Sequence, residues 1–255
     1  MQVFQRVHIF SDLHLTALDE PLAVAFLKAM GELQGPGDAL VLAGDIFEIL
    51  VGNSAYFQEK TAPFLEVIRE LLHRGVSVFY IEGNHDFHLS GLLPSGVFIS
   101  SDSIRIQVVH SSGTPKTIEV VHGDLVDSED RGYLLMRRIF RSSPVRIAAA
   151  LLPGKLITGF ARVLSRDHDQ KSAQLPESWS QNRRSRLRAL YHADAERRRS
   201  LGADFVVMGH CHDLDEWGGF YWNMGYPPAH RQYLVYDPSS NQGKESIHRR
   251  YFLGN

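Results

Sequence analysis

Five short polar blocks punctuate this chain, and each stands at the end of a short strand-like run. Asp12-Leu13-His14 follows residues 7–10, and Gly44-Asp45 follows residues 39–42. Gly83-Asn84-His85-Asp86 follows residues 76–81, His122-Gly123-Asp124 follows 117–121, and Gly209-His210-Cys211-His212 follows 205–208. Such runs, rich in Val, Ile and Phe, read as strands. Loops at strand ends can bring together residues two hundred positions apart. Any one block alone could be a turn or a helix cap. Five in order describe a site. Its carboxylate, amide and imidazole groups are of the kinds that hold a metal ion.

Composition frames this reading. With 255 residues, 44% of them hydrophobic and 22% charged, the chain is an ordinary globular protein of one large domain or two small ones. The single cysteine, Cys211, excludes an intrachain disulfide and suits a reducing compartment. Between two histidines it reads as a turn filler rather than a nucleophile or ligand. The first apolar run breaks at Ser11, too short for a secretory leader. The longest apolar stretch, residues 147–164, is interrupted by Pro153, Lys155 and Arg162, whereas a bilayer span needs about 20 mostly apolar residues. A cytoplasmic location is therefore expected.

The net charge of −2 conceals an uneven distribution. Residues 131–199 hold 16 Lys and Arg against 5 Asp and Glu, a net of +11, and the remainder nets −13. The basic segment is a candidate for holding an anionic partner.

Residues 1–125 alternate strands with helices expected over 20–33 and 62–74. Segments 103–109 and 117–121 flank a Ser-Ser-Gly-Thr-Pro turn and read as a hairpin. Residues 126–200 read as two or three helices without a strand. Strands return at 205–208, 219–223, 232–236 and 246–252. The whole is α/β, a single domain over 1–255 with a basic helical lid inserted at about 131–200.

The blocks resemble the calcineurin-like metallophosphoesterase family, whose pattern is D-x-H, G-D, G-N-H-D/E, H and G-H-x-H. That resemblance implies a four-layer α/β/β/α sandwich and two divalent cations. Asp12, His14 and His212 would hold one cation, and Asn84, His122 and His210 the other, with Asp45 shared. Manganese is the expected ion, with iron, zinc, cobalt and nickel as alternatives. His85 would be the non-ligand histidine that stabilises developing charge or protonates the leaving oxygen, with Asp86 orienting it. The competing reading of His85 is a buried, satisfied histidine. Glu48 either supports a ligand or begins a helix, and His88 reads as a wall residue.

Finer features are similar to the UDP-2,3-diacylglucosamine hydrolases of lipid A synthesis. They are Ser11 to Leu15, Gly44 to Glu48, and His122-Gly123-Asp124 followed by Asp130 and Tyr133. This resemblance implies cleavage of a pyrophosphate to UMP and 2,3-diacylglucosamine 1-phosphate, with Asp130 and Tyr133 contacting substrate. It also implies peripheral attachment to the anionic inner face of the bacterial inner membrane. The lid segments 133–141 and 145–166 mix bulky apolar residues with arginines, as acyl chains and phosphates would require. Two features depart from the pattern. His85 stands where those hydrolases usually have Arg, and the insert is longer, with a loop at 174–181 and an arginine-rich 183–199. Another phosphodiesterase, a nuclease and a non-catalytic metal-binding scaffold are the alternatives. Few aromatic platforms for single-stranded nucleic acid occur in the insert.

Overall fold

Strands that are apolar on every residue need cover on both faces, and two sheets stacked between helices provide it. A computed structural model describes residues 2–52, 54–151, 159, 177–239 and 247–252. The strands are β1 (Val3–Phe4), β2 (Arg6–Phe10), β3 (Asp38–Leu42), β4 (Leu50–Val51), β5 (Ser77–Ile81), β6 (Asp86–Phe87) and β7 (Phe98–Ser100). They continue as β8 (Ser103–Val108), β9 (Lys116–Val121), β10 (Phe205–Met208), β11 (Leu214–Trp217), β12 (Tyr221–Met224), β13 (Gln232–Tyr236) and β14 (Ile247–Tyr251). Helices are α1 (Pro21–Gly31), α2 (Ala55–Lys60), α3 (Ala62–His73), α4 (Arg131–Phe140), α5 (Ser143–Leu151), α6 (Glu177–Ser200) and α7 (Pro227–His230).

One six-stranded sheet runs β14-β13-β2-β3-β5-β7, and the other β1-β8-β9-β10-β12-β11. Within the first, β2, β3, β5 and β7 are parallel, β13 runs antiparallel to β2, and β14 runs antiparallel to β13. The expected hairpin is present as the antiparallel pair β8–β9. Alternate side chains of each inner strand serve different layers, as the two-residue period requires. Ala39 and Val41 face the other sheet and meet Ile118, Val120 and Val207. Leu40 and Leu42 face outward onto Phe26 of α1 and Phe64, Ile68 and Leu71 of α3. On the far side Val206 and Met208 pack on Tyr191 and Ala195 of α6. The order of layers is helix, sheet, sheet, helix, as the family resemblance implied.

Part of this differs from the sequence expectation. Helix α6 lies within the expected lid, yet Tyr191 and Ala195 are buried in its second half and form the outer layer of the body. Its arginine-rich sequence hides a short apolar stripe. Short edge strands β7 and β11 and helix α2 escape the periodicity, because edges carry little alternation. Residues 152–158 and 160–176, which include most of segment 145–166 and the first residues of the expected 174–181 loop, lie outside the described residues, and residues 177–181 are the start of α6 rather than a loop. Among the described residues no helix is long and apolar enough to cross a membrane.

A buried histidine away from the strand ends makes stability depend on pH. His8 is fully buried, its Nδ1–H donates to the Ala29 carbonyl at 3.2 Å, and its Nε2 has no partner. Burial, with Arg6 and Arg250 nearby, lowers its pKa to about 4. The unfolded chain binds that proton at about 6.5. Acid therefore favours unfolding, and stability is lost as pH falls from about 6.5 towards 4. Between pH 7 and pH 5 the loss is about 2 kcal/mol. In His8→Leu this part of the pH dependence should vanish. Urea unfolding of both proteins at the two pH values measures it, and equal losses would show that His8 is not the source.

Candidate metal centre

The five blocks leave β2, β3, β5, β9 and β10 at one end of the sheets, and their turns are tight. Asp12, His14, Asp45, His210 and His212 all hold left-handed backbone, with φ of 53, 47, 53, 66 and 55°. For residues with a Cβ this costs on the order of 1–3 kcal/mol each, and such strain clusters at functional sites. Two glycines allow the loops to close. A Cβ on Gly83 would lie 2.2 Å from Asp45 Oδ1, and one on Gly209 would lie 2.2 Å from Asp12 Oδ2.

All seven predicted donors come together. Asp12, His14 and His212 form one trio, and Asp45, His122 and His210 another, each with donor atoms within 4.8 Å of one another. Asn84 joins the second trio, its Oδ1 3.1 Å from His122 Nε2. Asp45 stands between them. Its Oδ2 is 3.9 Å from His14 Nε2 and 3.6 Å from His122 Nε2.

The hydrogen bonds around these groups test whether they suit a cation. The Nδ1 of His122 is 2.9 Å from the Ala43 carbonyl, which can only accept, so Nδ1 carries the proton. In the neutral ring Nε2 is then a bare lone pair facing Asn84 Oδ1, another acceptor. Two acceptors at 3.1 Å need a positive charge between them. Burial opposes charging His122, but Asp45, Asp124 and Asp12 outweigh it and raise its pKa to about 9. His210, by contrast, is lowered to about 4 by burial and by His122. His14 repeats the arrangement, with Nδ1 3.2 Å from Glu48 Oε2 and Nε2 3.2 Å from His212 Nε2. Rings held from behind by oxygen, with bare nitrogens converging, suit divalent cations. The donor set fits manganese, iron or zinc alike.

The supporting residues correct several expectations. Asp86 does not orient His85. Its carboxylate accepts from the backbone of Asp45 (3.0 Å), Ile46 (2.7 Å) and Gly83 (2.9 Å), and from Tyr80 Oη (2.6 Å). It clamps two site loops together, although burial and Asp45 push its pKa up to about 6. His85 is oriented instead by the Glu48 carbonyl, 2.7 Å from its Nδ1. Burial lowers the His85 pKa, but Asp45 and the Glu48 carbonyl raise it further, for a net rise. Glu48 sits in a bend rather than a helix and holds His14 with its side chain and His85 with its backbone.

Asp130 and Tyr133 both line the cavity over the site, about 640 Å³ in volume, as do Arg183, Leu187 and Tyr226. Asp130 is also the N-cap of α4, accepting from Tyr133 N at 2.9 Å. Tyr133 Oη donates to buried Asp124 at 2.8 Å. Sequence reasoning assigned no role to Asp124 or Tyr226. Asp124 stood in a motif and could have been questioned, whereas nothing in the sequence marked Tyr226. Burial pushes the Cys211 thiol up to about 12, consistent with a turn filler. His88 Nε2 is 3.0 Å from the Phe140 carbonyl, a bracing contact at the wall.

Part of the basic excess is paired within the molecule. Arg137 pairs with Asp124, Arg141 with Glu82, Arg186 with Asp127 and Glu129, Arg188 with Asp213 and Asp215, and Arg198 with Glu119. The basic insert and the acidic body are complementary surfaces of one fold. Arg137 and Arg141, expected to face an anionic partner, face the body.

Residues 5–214 match the calcineurin-like phosphoesterase family. The UDP-2,3-diacylglucosamine hydrolase of Neisseria meningitidis serogroup B is 27% identical over 212 residues, 80% of this chain and 81% of that protein. The enzyme of the same name from Stutzerimonas stutzeri is 32% identical over 138 residues, 52% of this chain and 54% of that protein. The chain thus matches about half the length of the Stutzerimonas relative. Among solved structures, Vps29 of Entamoeba histolytica superposes with a TM-score of 0.40 at 15% identity over 97% of this chain and 99% of that one, too distant to bear on function.

Proposed function

The chain belongs to the calcineurin-like phosphoesterase family, and on that premise we propose that it hydrolyses the pyrophosphate of UDP-2,3-diacylglucosamine to UMP and 2,3-diacylglucosamine 1-phosphate. The observation that carries the reading is Asp45 between two trios of nitrogen and oxygen donors. Asp12, His14 and His212 would hold one divalent cation, Asn84, His122 and His210 the other, and Asp45 both. Two such cations, when bound, neutralise and polarise a phosphoryl group.

The chain's own groups supply the rest. Carbonyls of Ala43 and Glu48 fix the His122 and His85 rings, so each directs Nε2 into the site. His85, with its pKa raised, can offer an N–H to the oxygen that gains charge. Asp127 and Asp130 at the cavity wall can accept from sugar hydroxyls, and Arg183 can meet the phosphate not under attack. Acyl chains need an apolar path. Leu135, Met136 and Ile139 of α4 and Ile147 of α5 are exposed together with Arg131 and Arg138. An apolar face with a basic rim suits an anionic membrane surface, so peripheral attachment to the inner face of the bacterial inner membrane belongs to the same reading.

A panel assay with manganese tests it. UDP-2,3-diacylglucosamine should release UMP, and simple UDP-sugars, cyclic nucleotides and single-stranded DNA should react far more slowly. Cleavage of DNA or a cyclic nucleotide with the lipid substrate left intact would replace this substrate by another of the phosphoesterase class. Two bound metals with no turnover on any member would leave a metal-binding scaffold.

A further inference from the structure

We propose that α4 is a brace for one half of the metal centre, and that Arg141 is a positioning residue for Asn84 and His85. The proposal rests on the two-metal reading above. Tyr133, Arg137 and Arg141 stand four residues apart and form one stripe along α4 and its C-cap. Each reaches a loop that carries predicted ligands. Tyr133 Oη and Arg137 Nε donate to Asp124 Oδ2, two residues beyond His122, and Arg137 Nη2 also donates to the Ser101 carbonyl at 2.9 Å. Arg141 donates to Glu82 Oε2 at 2.9 Å, to the Glu82 carbonyl at 2.9 Å and to the Gly83 carbonyl at 2.8 Å. The Gly83 carbonyl belongs to the peptide that leads directly into Asn84, with His85 the next residue.

The loop is therefore held from two sides. Asp86 ties it to the Asp45 loop beneath, and Arg141 ties it to α4 above. The Arg141 side chain is only 14% exposed and that of Glu82 12%, so the contact is a desolvated, multidentate one rather than a surface ion pair. His88, donating to the Phe140 carbonyl, adds a third tie at the same end of the helix. Among the described residues, no hydrogen bond or ion pair joins the Asp12, His14 and His212 trio to α4. The brace is one-sided: it governs the Asn84 and His122 half and leaves the other half alone. A helix that covers the substrate cavity is thus fastened to the loops of one predicted ion and of the predicted catalytic histidine.

Arg141→Met tests this with three readouts. Manganese titration followed by electron paramagnetic resonance should show the first ion bound as in the wild type and the second weakened about 10–100-fold, the usual effect of losing an outer partner. Amides of residues 82–86 should exchange hydrogen faster in the metal-free variant. For a small soluble phosphodiester, kcat should fall about 10-fold or more with KM little changed. Arg141→Lys, which keeps the charge but replaces the guanidinium fork by a single donor nitrogen, should recover part of each loss. Wild-type affinity for both ions, or equal weakening of both, would overturn the brace. If Arg141→Met fails to fold, the same asymmetry must appear in Glu82→Gln, which weakens the pair without removing either side chain. A wild-type protein that never takes up a second ion would instead defeat the two-metal reading itself.

Discussion

Asp45→Ala should lose most of its bound metal and nearly all phosphoesterase activity. The carboxylate is 2% exposed, and its Oδ2 lies within 4 Å of an imidazole nitrogen from each trio. Removing even an outer partner of a metal ligand typically costs 10–100-fold, so removing a shared ligand should cost more than about 10²-fold in turnover. The burial cost of Asp45 is opposed by His122, His85 and His14, whose positive charge holds its carboxyl well below the ordinary carboxylate range. In the variant that anionic centre is gone and the imidazoles lose their counter-charge. Heat stability gives a second measure. Manganese should raise the melting temperature of the wild type by mass action, about 2.7 kcal/mol per site at 100 times Kd. It should hardly move that of Asp45→Ala. Asp45→Asn keeps the shape and the acceptor for the His85 N–H but removes the charge, and should behave like the alanine variant. Two fully occupied ions with normal turnover in either variant would end the shared-ligand reading.

The parts of this site that were legible in the sequence are those where chemistry restricts the residue type. A cation needs imidazole, carboxylate or amide oxygen, and a strand end fixes where such a group can stand, so Asp12, Asp45 and His210 are marked by type and position together. The residues behind them are not marked that way. Glu48 and Asp86 are both acids beside a motif. Which one meets a histidine and which one ties loops depends on how β3 and β5 pair, a tertiary fact. Charge counting could not separate two cases, for a related reason. A +11 segment beside a −13 remainder is what an anion-binding lid would show, and also what two complementary faces of one protein would show. Arg137, Arg141, Arg186, Arg188 and Arg198 turn out to be of the second kind. The inner strands were read correctly because their runs are short and dominated by apolar, β-branched and aromatic residues. Edge strands β7 and β11 bury only one side or little at all, and so leave no such run.

His85→Ala should retain both metals and lose turnover by about 10²–10⁴-fold, the range for a positioned acid–base group. Its ring is held by the Glu48 carbonyl and packs edge-on to His14 with 4.8 Å between centroids, close to the donors but outside the two trios. The variant should also reveal which of two roles the ring has. A pyrophosphate releases a phosphate, whose second pKa is about 6, so the leaving oxygen needs no proton near neutral pH. Stabilising its charge is enough, and an arginine can do that. An alkyl phosphodiester releases a far more basic oxygen that must be protonated. His85→Arg should therefore keep much of the activity on the pyrophosphate and little on the alkyl diester. Its loss on the diester should be about as large as that of His85→Ala. If His85 donates a proton, activity on the diester should fall in the wild type as alkaline pH removes that proton, and this limb should be missing from both variants. Equal losses on the two substrates in His85→Arg would mean that the ring acts through its shape and position and not as a proton donor. Loss of metal in His85→Ala would instead make His85 a ligand, as its place beside His14 and Glu48 in a third close group allows.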